Sequence, residues 1–156
     1  PLLFWVMIMN IKYMDMAILE AEKAALEGEV PIGCVIVFND FVISKAYNKK
    51  ESLKMVTRHA EIIALEEASK RMNNWRLDGC DVYITLEPCP MCASALKQAR
   101  VNHIYCGLSN SDKNNFKIIS KILETDRTNP SVSITNDLAV EKVSKLLKSF
   151  FKNRRK

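Results

Sequence analysis

Two short motifs contain the residue types that bind a catalytic zinc ion. His59-Ala60-Glu61 supplies an imidazole followed two residues later by a carboxylate, and Pro88-Cys89-Pro90-Met91-Cys92 supplies two thiols. A zinc ion held by three protein groups keeps its fourth tetrahedral position open for water. Such an ion makes hydroxide available near neutral pH. The motifs therefore predict a hydrolytic metal centre with one zinc ion per chain, bound by His59, Cys89 and Cys92.

Glu61 is spaced for moving protons rather than for binding metal. On a helix that begins near His59, residues two apart do not lie above one another, so Glu61 flanks the ion without sharing the direction of the histidine. A carboxylate in that position can take a proton from water and pass it to a leaving group. Cys89 and Cys92 lie at the start of a second predicted helix, where free N–H groups favour thiolates.

Composition predicts one domain in a reducing compartment. A chain of 156 residues with 48% hydrophobic content can bury a single core, and we expect one domain over residues 11–156. Five cysteines without a spaced framework argue against disulfides and favour the cytoplasm. Cys34 and Cys106 are expected to be buried hydrophobes, whereas Cys80 is ambiguous. A closed structural zinc site would need one of these three as a fourth ligand.

The first ten residues are apolar but differ from known targeting segments. They are too short to span a bilayer and lack the basic region and cleavage site of a secretory signal. We therefore expect no membrane contact and a non-native or flexible segment over residues 1–10. The chain opens on Pro1, which suggests a natural start at Met7 or Met9. A processed organellar transit peptide is the alternative.

Positive charge is concentrated at the C-terminus. Residues 141–156 carry seven basic side chains against one acidic side chain, a local net charge of +6 in a chain whose total is +5, which leaves −1 for residues 1–140. Concentrated positive charge predicts a phosphate-bearing partner. The alternative is a solvated helix end, because basic residues in a last turn also suit the helix dipole.

Helical and strand periodicities alternate along the chain. Helices are predicted over 14–25, 59–72, 91–99, part of 116–123 and 138–151, and strands over 34–38, 41–43, 81–86, 103–106 and 131–134. Asn39-Asp40 forms a tight turn between the first two strands. Strands that alternate with helices predict an α/β fold with three layers, in which a mixed sheet of about five strands is covered by helices on both faces.

The motifs resemble the zinc-dependent cytidine and deoxycytidylate deaminase superfamily. His59-Ala60-Glu61 together with Thr85-Leu86-Glu87-Pro88-Cys89-Pro90-Met91-Cys92 is similar to its H-x-E and P-C-x-x-C signature. Residues 29–33, 74–77 and 150–155 further resemble the bacterial-type tRNA-specific adenosine deaminases. The resemblance implies the cytidine-deaminase-like fold, a homodimer, and hydrolytic conversion of adenosine to inosine at the wobble position of a tRNA anticodon.

The resemblance also implies roles for individual residues. His59, Cys89 and Cys92 would hold zinc, and Glu61 would move protons to N1 of the adenine and to the departing ammonia. Asn48, which alone is typical of a turn, would form a hydrogen bond with the purine. Further members of the base pocket would be Val30, Ala60 and Pro88, and the candidate RNA contacts are Asn110, Lys113, Phe151, Lys152, Arg154 and Arg155.

Two segments depart from the family pattern. Met55-Val56-Thr57-Arg58 precedes the histidine where the family commonly has Asp-Pro-Thr, and residues 107–115 replace a Gly-Ala-Arg-Asp run with its glycine-rich continuation. Because the second segment helps to seat the nucleic acid in the family, two alternatives to a tRNA substrate stay open. One is a free-base or nucleotide deaminase of the guanine, cytosine or dCMP type. The other is a catalytically silent, zinc-stabilised RNA-binding subunit.

Overall fold

A five-stranded mixed sheet forms the middle layer of the protein, with the strand order β2-β1-β3-β4-β5. The structure is a computed structural model and describes residues 1–154. Strand β1 pairs antiparallel with β2 and β3, whereas β3, β4 and β5 are parallel. The elements are α1 (Leu2–Leu26), β1 (Gly33–Phe38), β2 (Phe41–Tyr47), α2 (Lys50–Leu53), α3 (Ala60–Met72), β3 (Asp81–Leu86), α4 (Pro90–Gln98), β4 (His103–Leu108), α5 (Lys113–Leu123), β5 (Ser133–Thr135) and α6 (Val140–Arg154).

Helices cover both faces of the sheet, as predicted. On β1, Cys34 and Ile36 belong to the core that the sheet shares with α3, α4 and α5. Their neighbours Val35 and Val37 belong to the opposite core, with α1 and α6. This alternation follows from the two-residue period of a strand, and it produces the three layers.

Close packing of α1 on β1 depends on a glycine. A Cβ atom at Gly33 would collide with the carbonyl oxygen of Ala17 and lie 2.6 Å from the backbone nitrogen of Ala21. Only a residue without a side chain lets the helix approach the strand this closely.

Helix α1 begins earlier than the sequence pattern predicted. It contains 25 residues from Leu2 onward, so it starts inside the segment that we expected to be flexible. The helix has no internal glycine or proline, and its many Leu, Met and Ala residues favour helix. By length and composition α1 could cross a membrane, a property that buried core helices and signal sequences share. From Tyr13 to Ala24 one side of it is buried against the sheet.

Local differences from the prediction have identifiable causes. Asn39 and Asp40 form the predicted tight turn, with φ of 48° and 63°, as a two-residue hairpin requires. Helix α5 begins at Lys113, before the predicted helical stretch, because Asp112 caps it by accepting a hydrogen bond from the Asn114 N–H at 2.9 Å. The last helix, predicted from residue 138, begins at Val140, which is 44% exposed in the first turn of α6.

Candidate active site

Two helices begin at the predicted zinc ligands. His59 is the N-cap residue of α3 and Cys89 is the N-cap residue of α4, both with extended backbone angles. Neither side chain has a capping oxygen, in contrast to Asp112 at the start of α5. Both are therefore available for a metal ion, and the positive ends of two helix dipoles point at the same site.

The three ligand atoms have the separation that zinc requires. Nδ1 of His59 lies 3.5 Å from Sγ of Cys92 and 3.7 Å from Sγ of Cys89. A tetrahedral ion with bonds of about 2.3 Å to sulfur and about 2.05 Å to nitrogen separates these atoms by about 3.6 Å. All three ligand atoms lie within 4.8 Å of one another. The residues present therefore fit a zinc ion.

Glu61 lies beside the ligands, in the first turn of α3, and is 3% exposed. Burial raises the pKa of its carboxyl group, while its own backbone N–H and the Cys92 thiol oppose this shift. Its Oε1 atom is buried and has no hydrogen-bond partner among the residues that the structure describes. A buried carboxyl group with a raised pKa and a free oxygen is suited to accept and return protons.

The two thiols are electrostatically unequal. The Cys92 side chain donates a hydrogen bond to Cys89 and, with the N–H groups of Cys92 and Met91 and the nearby His59, lowers the pKa of Cys89 to about 5. The pKa of Cys92 itself is raised, first by that hydrogen bond and then by burial. The pair thus holds one thiolate at neutral pH, and zinc binding requires the loss of the second proton.

Asn48 and Val30, two residues of the predicted base pocket, contact each other. The Asn48 side chain donates from Nδ2 to the carbonyl oxygen of Val30 at 3.4 Å, and its Oδ1 atom is buried with no partner in residues 1–154. The Lys49 N–H donates a hydrogen bond to the Arg58 carbonyl oxygen at 3.0 Å. Since Lys49 follows Asn48 and Arg58 precedes His59, this bond joins the segment of Asn48 to the segment of His59. The other two predicted pocket residues, Ala60 and Pro88, are buried.

Glu29 was not among the predicted residues, although it orders the loop between Asn48 and His59. Its buried carboxylate accepts hydrogen bonds from the N–H groups of Glu51 at 2.9 Å and Ser52 at 2.6 Å, in helix α2. Sequence periodicity contained no signal for this contact, because its partners are 22 and 23 residues away.

A cleft of about 860 Å³ brings several predicted RNA contacts together. Asn110, Lys113 and Phe151 line it, as does Val30 of the predicted base pocket. Phe116 and Lys117 of α5 also line the cleft, and the sequence analysis missed both. The signal was present: Lys113, Lys117 and Lys121 recur every four residues, which places them on one helix face.

The remaining RNA candidates lie at the end of α6. Lys152 is exposed. The Arg154 guanidinium donates to the carbonyl oxygen of Gly28 and lies 4.9 Å from the ring centroid of Phe150. Arg154 therefore ties α6 to the end of α1 in addition to carrying charge. Arg155 lies outside the described residues.

The other three cysteines are in the core. Cys34, Cys80 and Cys106 are all buried in the cluster under α3, α4 and α5, as predicted for Cys34 and Cys106. The metal-ligand cluster consists of His59, Cys89 and Cys92. A closed site with a fourth cysteine ligand has no support in this arrangement.

Comparison with known proteins gives matches over most of the chain. The family model for the cytidine and deoxycytidylate deaminase zinc-binding region matches residues 7–108. The tRNA-specific adenosine deaminase of Bacillus subtilis (strain 168) is 38% identical over 144 residues, which cover 92% of this chain and 89% of that protein. The tRNA-specific adenosine deaminase of Aquifex aeolicus (strain VF5) is 40% identical over 145 residues, with coverage of 92% and 94%.

Solved structures agree with these matches. A structure from a study of A-to-I editing by tRNA:A34 deaminases at the wobble position superposes with a TM-score of 0.80 at 32% identity, covering 88% of this chain and 99% of that one. The guanine deaminase from Nitrosomonas europaea has a TM-score of 0.71 at 18% identity, with coverage of 88% and 82%. That second likeness shows a shared fold alone.

Proposed function

This chain belongs to the cytidine and deoxycytidylate deaminase zinc-binding family and to its tRNA-specific adenosine deaminases, and we propose that it converts adenosine to inosine at the wobble position of a tRNA anticodon. One observation supports the chemistry above all others. A buried carboxylate oxygen of Glu61, without a hydrogen-bond partner in residues 1–154, lies beside three side chains spaced for zinc.

The reaction replaces the exocyclic amine of adenine with oxygen from water. His59, Cys89 and Cys92 would hold zinc, which when bound would supply hydroxide near neutral pH. Glu61 accepts one proton from water and delivers it to N1 as oxygen adds to C6. Glu61 then takes the second proton, from the new hydroxyl group on C6, and passes it to the amine. The bond from C6 to nitrogen breaks, the C6 carbonyl forms, and inosine and ammonia are released. Because Glu61 is buried, these protons are not exchanged with bulk water between the two transfers.

Asn48 and its neighbours hold the base. The Asn48 amide can donate and accept, and its Oδ1 atom is free to bond to the purine edge. Val30 and Pro88 add apolar surface to the pocket, and Ala60 has no bulky side chain that would fill it. The adenine is thereby placed with C6 toward the metal ligands.

The cleft and the basic end of α6 support an RNA substrate. Phe116 and Phe151 offer exposed rings on which a base can stack, and Lys113 and Lys117 supply positive charge at the same cleft. An anticodon stem-loop presents both unstacked bases and phosphates, which matches this combination. We further propose that the enzyme acts in the cytoplasm, which is compatible with a tRNA substrate and with five free cysteines.

A homodimer is supported by the loop before His59. Leu53, Met55 and Val56 expose apolar side chains there. A group of exposed apolar residues next to an active site is typical of a surface covered by another subunit. We therefore propose that two copies of the chain associate through this loop.

Product analysis tests the proposed function. The zinc-loaded protein would be incubated with an anticodon stem-loop carrying adenosine at the wobble position and, separately, with free adenosine, guanine and cytidine. We expect inosine from the stem-loop, formed at least about 100-fold more slowly by Glu61→Gln. Xanthine from guanine or uridine from cytidine, with no inosine in the RNA, would instead indicate a free-base or nucleotide deaminase. RNA binding without any product would indicate the silent subunit.

A further inference from the structure

Side-chain amides from two other segments hold the turn that carries Cys89. Nδ2 of Asn115 donates to Oε2 of Glu87 at 2.7 Å and to the carbonyl oxygen of Pro88 at 3.0 Å. Nδ2 of Asn136 donates to Oε1 of Glu87 at 3.0 Å. We call Glu87, Asn115 and Asn136 the amide clamp. Its members come from the end of β3, the first turn of α5 and the segment between β5 and α6.

The turn has few hydrogen-bond donors of its own. Pro88 and Pro90 have no N–H group, so the backbone cannot fasten the turn at either position. The Glu87 N–H donates to the carbonyl oxygen of Leu108 at 2.8 Å, which fixes the residue before the turn. The Pro88 carbonyl is fixed by Asn115. Because a peptide group is planar, fixing this carbonyl also orients the nitrogen and Cα of Cys89.

The clamp stabilises a buried charge without a cation. Glu87 and Asn115 are both buried, and no ion pair to Glu87 is present within residues 1–154. A buried carboxylate has to be satisfied by hydrogen bonds, and here two amides provide them. Loss of either amide leaves the carboxylate partly unsatisfied, so the network acts as a unit.

We propose that Asn115 and Glu87 are positioning residues for the zinc ligand Cys89. This inference rests on the zinc site of the proposed function. Asn115 holds the Pro88 carbonyl and Glu87 holds Asn115, so together they determine where the Cys89 sulfur lies relative to Nδ1 of His59. Groups that orient metal ligands typically change metal affinity by about 10- to 100-fold when removed.

The decisive comparison is Asn115→Ala against Asn114→Ala. Asn114 is the same residue type on the same helical turn, but it is exposed. Zinc release from the loaded protein would be followed with a chromogenic chelator, and the cobalt(II)-substituted proteins would be compared by visible absorption. For Asn115→Ala we expect release at least about tenfold faster and shifted cobalt bands. Asn114→Ala should match the unsubstituted protein. Release within about twofold of Asn114→Ala, with identical bands, would overturn the proposal.

A second pair of variants decides the question if Asn115→Ala does not fold. In Glu87→Gln, the Oε1 atom of the new side chain can accept the hydrogen bond from Asn115. Its Nε2 atom can donate a hydrogen bond to Oδ1 of Asn136 after the Asn136 side-chain amide rotates by about 180°, which exchanges Oδ1 and Nδ2. This Oδ1 atom is buried and has no partner among the described residues. Glu87→Gln should therefore release zinc at the rate of the unsubstituted protein and show the same cobalt spectrum. Glu87→Leu should release zinc faster and show shifted cobalt bands. Equal behaviour of the two variants would overturn the positioning role.

Cys89→Ala separates this inference from the zinc site on which it rests. If Cys89→Ala retains a full zinc ion, the proposed zinc site is wrong. If it loses zinc while Asn115→Ala and Glu87→Leu behave like the unsubstituted protein, the zinc site stands and only the positioning role is wrong. Neither readout depends on RNA turnover, so both can be measured whichever substrate the enzyme takes.

Discussion

The zinc centre and the proposed RNA-binding surface are built in opposite ways. At the centre, Glu61 and Cys92 are buried and the ligand atoms lie within 4.8 Å of one another. At the surface, Lys113 of α5 and Phe151 and Lys152 of α6 are exposed, so the candidate contacts come from two separate helices. Water cannot take the place of a side chain that is lost from a buried site. Each exposed charge, in contrast, contributes only a small part of the binding free energy, and salt screens that part. Substitutions should therefore abolish function at the centre and reduce it gradually at the surface.

Glu61→Gln should have the largest effect on catalysis. The amide has nearly the shape of the carboxylate but cannot accept a proton from water, so kcat should fall by about 10²- to 10⁴-fold. Measurement of inosine under single-turnover conditions tests this. Zinc content and RNA affinity should be unchanged, since Glu61 is not a predicted ligand. Activity within about threefold of the unsubstituted enzyme, roughly 0.65 kcal/mol of barrier, would mean that another residue is the base.

The pH dependence of Cys89 tests the electrostatics of the centre. Its pKa of about 5 lies below its ordinary value of 9.0, so the thiolate should be lost only when the pH falls through about 5. After zinc is chelated, alkylation of Cys89 should follow that midpoint, because the thiolate is the reactive form. Cys92→Ala removes the donor thiol and should move the midpoint upward.

Mass spectrometry of the alkylated cysteines would measure these midpoints. Cys34 and Cys106 are internal controls, since burial raises their pKa and shields them from the reagent. A midpoint for Cys89 close to 9.0 in the unsubstituted protein would contradict the hydrogen bond from Cys92.

Asn48→Ala should have an intermediate effect, because Asn48 is buried like the residues of the centre but is proposed to contact the base rather than the metal. Removing one partner of a buried hydrogen bond costs about 1–3 kcal/mol, which is about 5- to 150-fold in kcat/KM. Initial rates on the anticodon stem-loop measure it. Asn114→Ala, at an exposed helical position that does not line the cleft, is the matched control. An unchanged rate would return Asn48 to the role of a turn residue.

Charge removal at the surface should have the smallest effect on chemistry. Replacing Lys152, Arg154, Arg155 and Lys156 with Gln should flatten the salt dependence of RNA binding by about 0.7 to 0.9 log units of slope for each phosphate that is no longer neutralised. The rate at saturating RNA and the zinc content should not change, since positioning contacts act on binding.

Two further double variants sharpen the surface prediction. Lys113→Gln with Lys117→Gln removes the charge at the cleft, and Lys70→Gln with Arg71→Gln removes charge at the end of α3 as a control. We expect a lower salt slope for the cleft variant and an unchanged slope for the control. If the C-terminal variant binds RNA with the original slope, the tail is a solvated helix end.

The sequence by itself was sufficient to predict the type of metal site and the three layers of the fold. His59-Ala60-Glu61 and the Cys89 motif contain the ligand types and spacing of a zinc site, and the structure brings them together. The periodicities predicted the three layers and the order of the five strands along the chain. These features are local: a helix or strand period and a ligand spacing depend on residues only a few positions apart.

Only the tertiary structure decided how the site is supported. The contacts of Asn115 with Glu87, of Glu29 with Ser52 and of Arg154 with Gly28 join residues 28, 23 and 126 positions apart. No periodicity encodes such pairs, because they form only when separate elements pack against one another. The same holds for the cleft between α5 and α6, where Lys117 and Phe151 become neighbours of Val30. Ligand identity is a local property of the chain, whereas the orientation of the ligands and the shape of the substrate surface follow from packing.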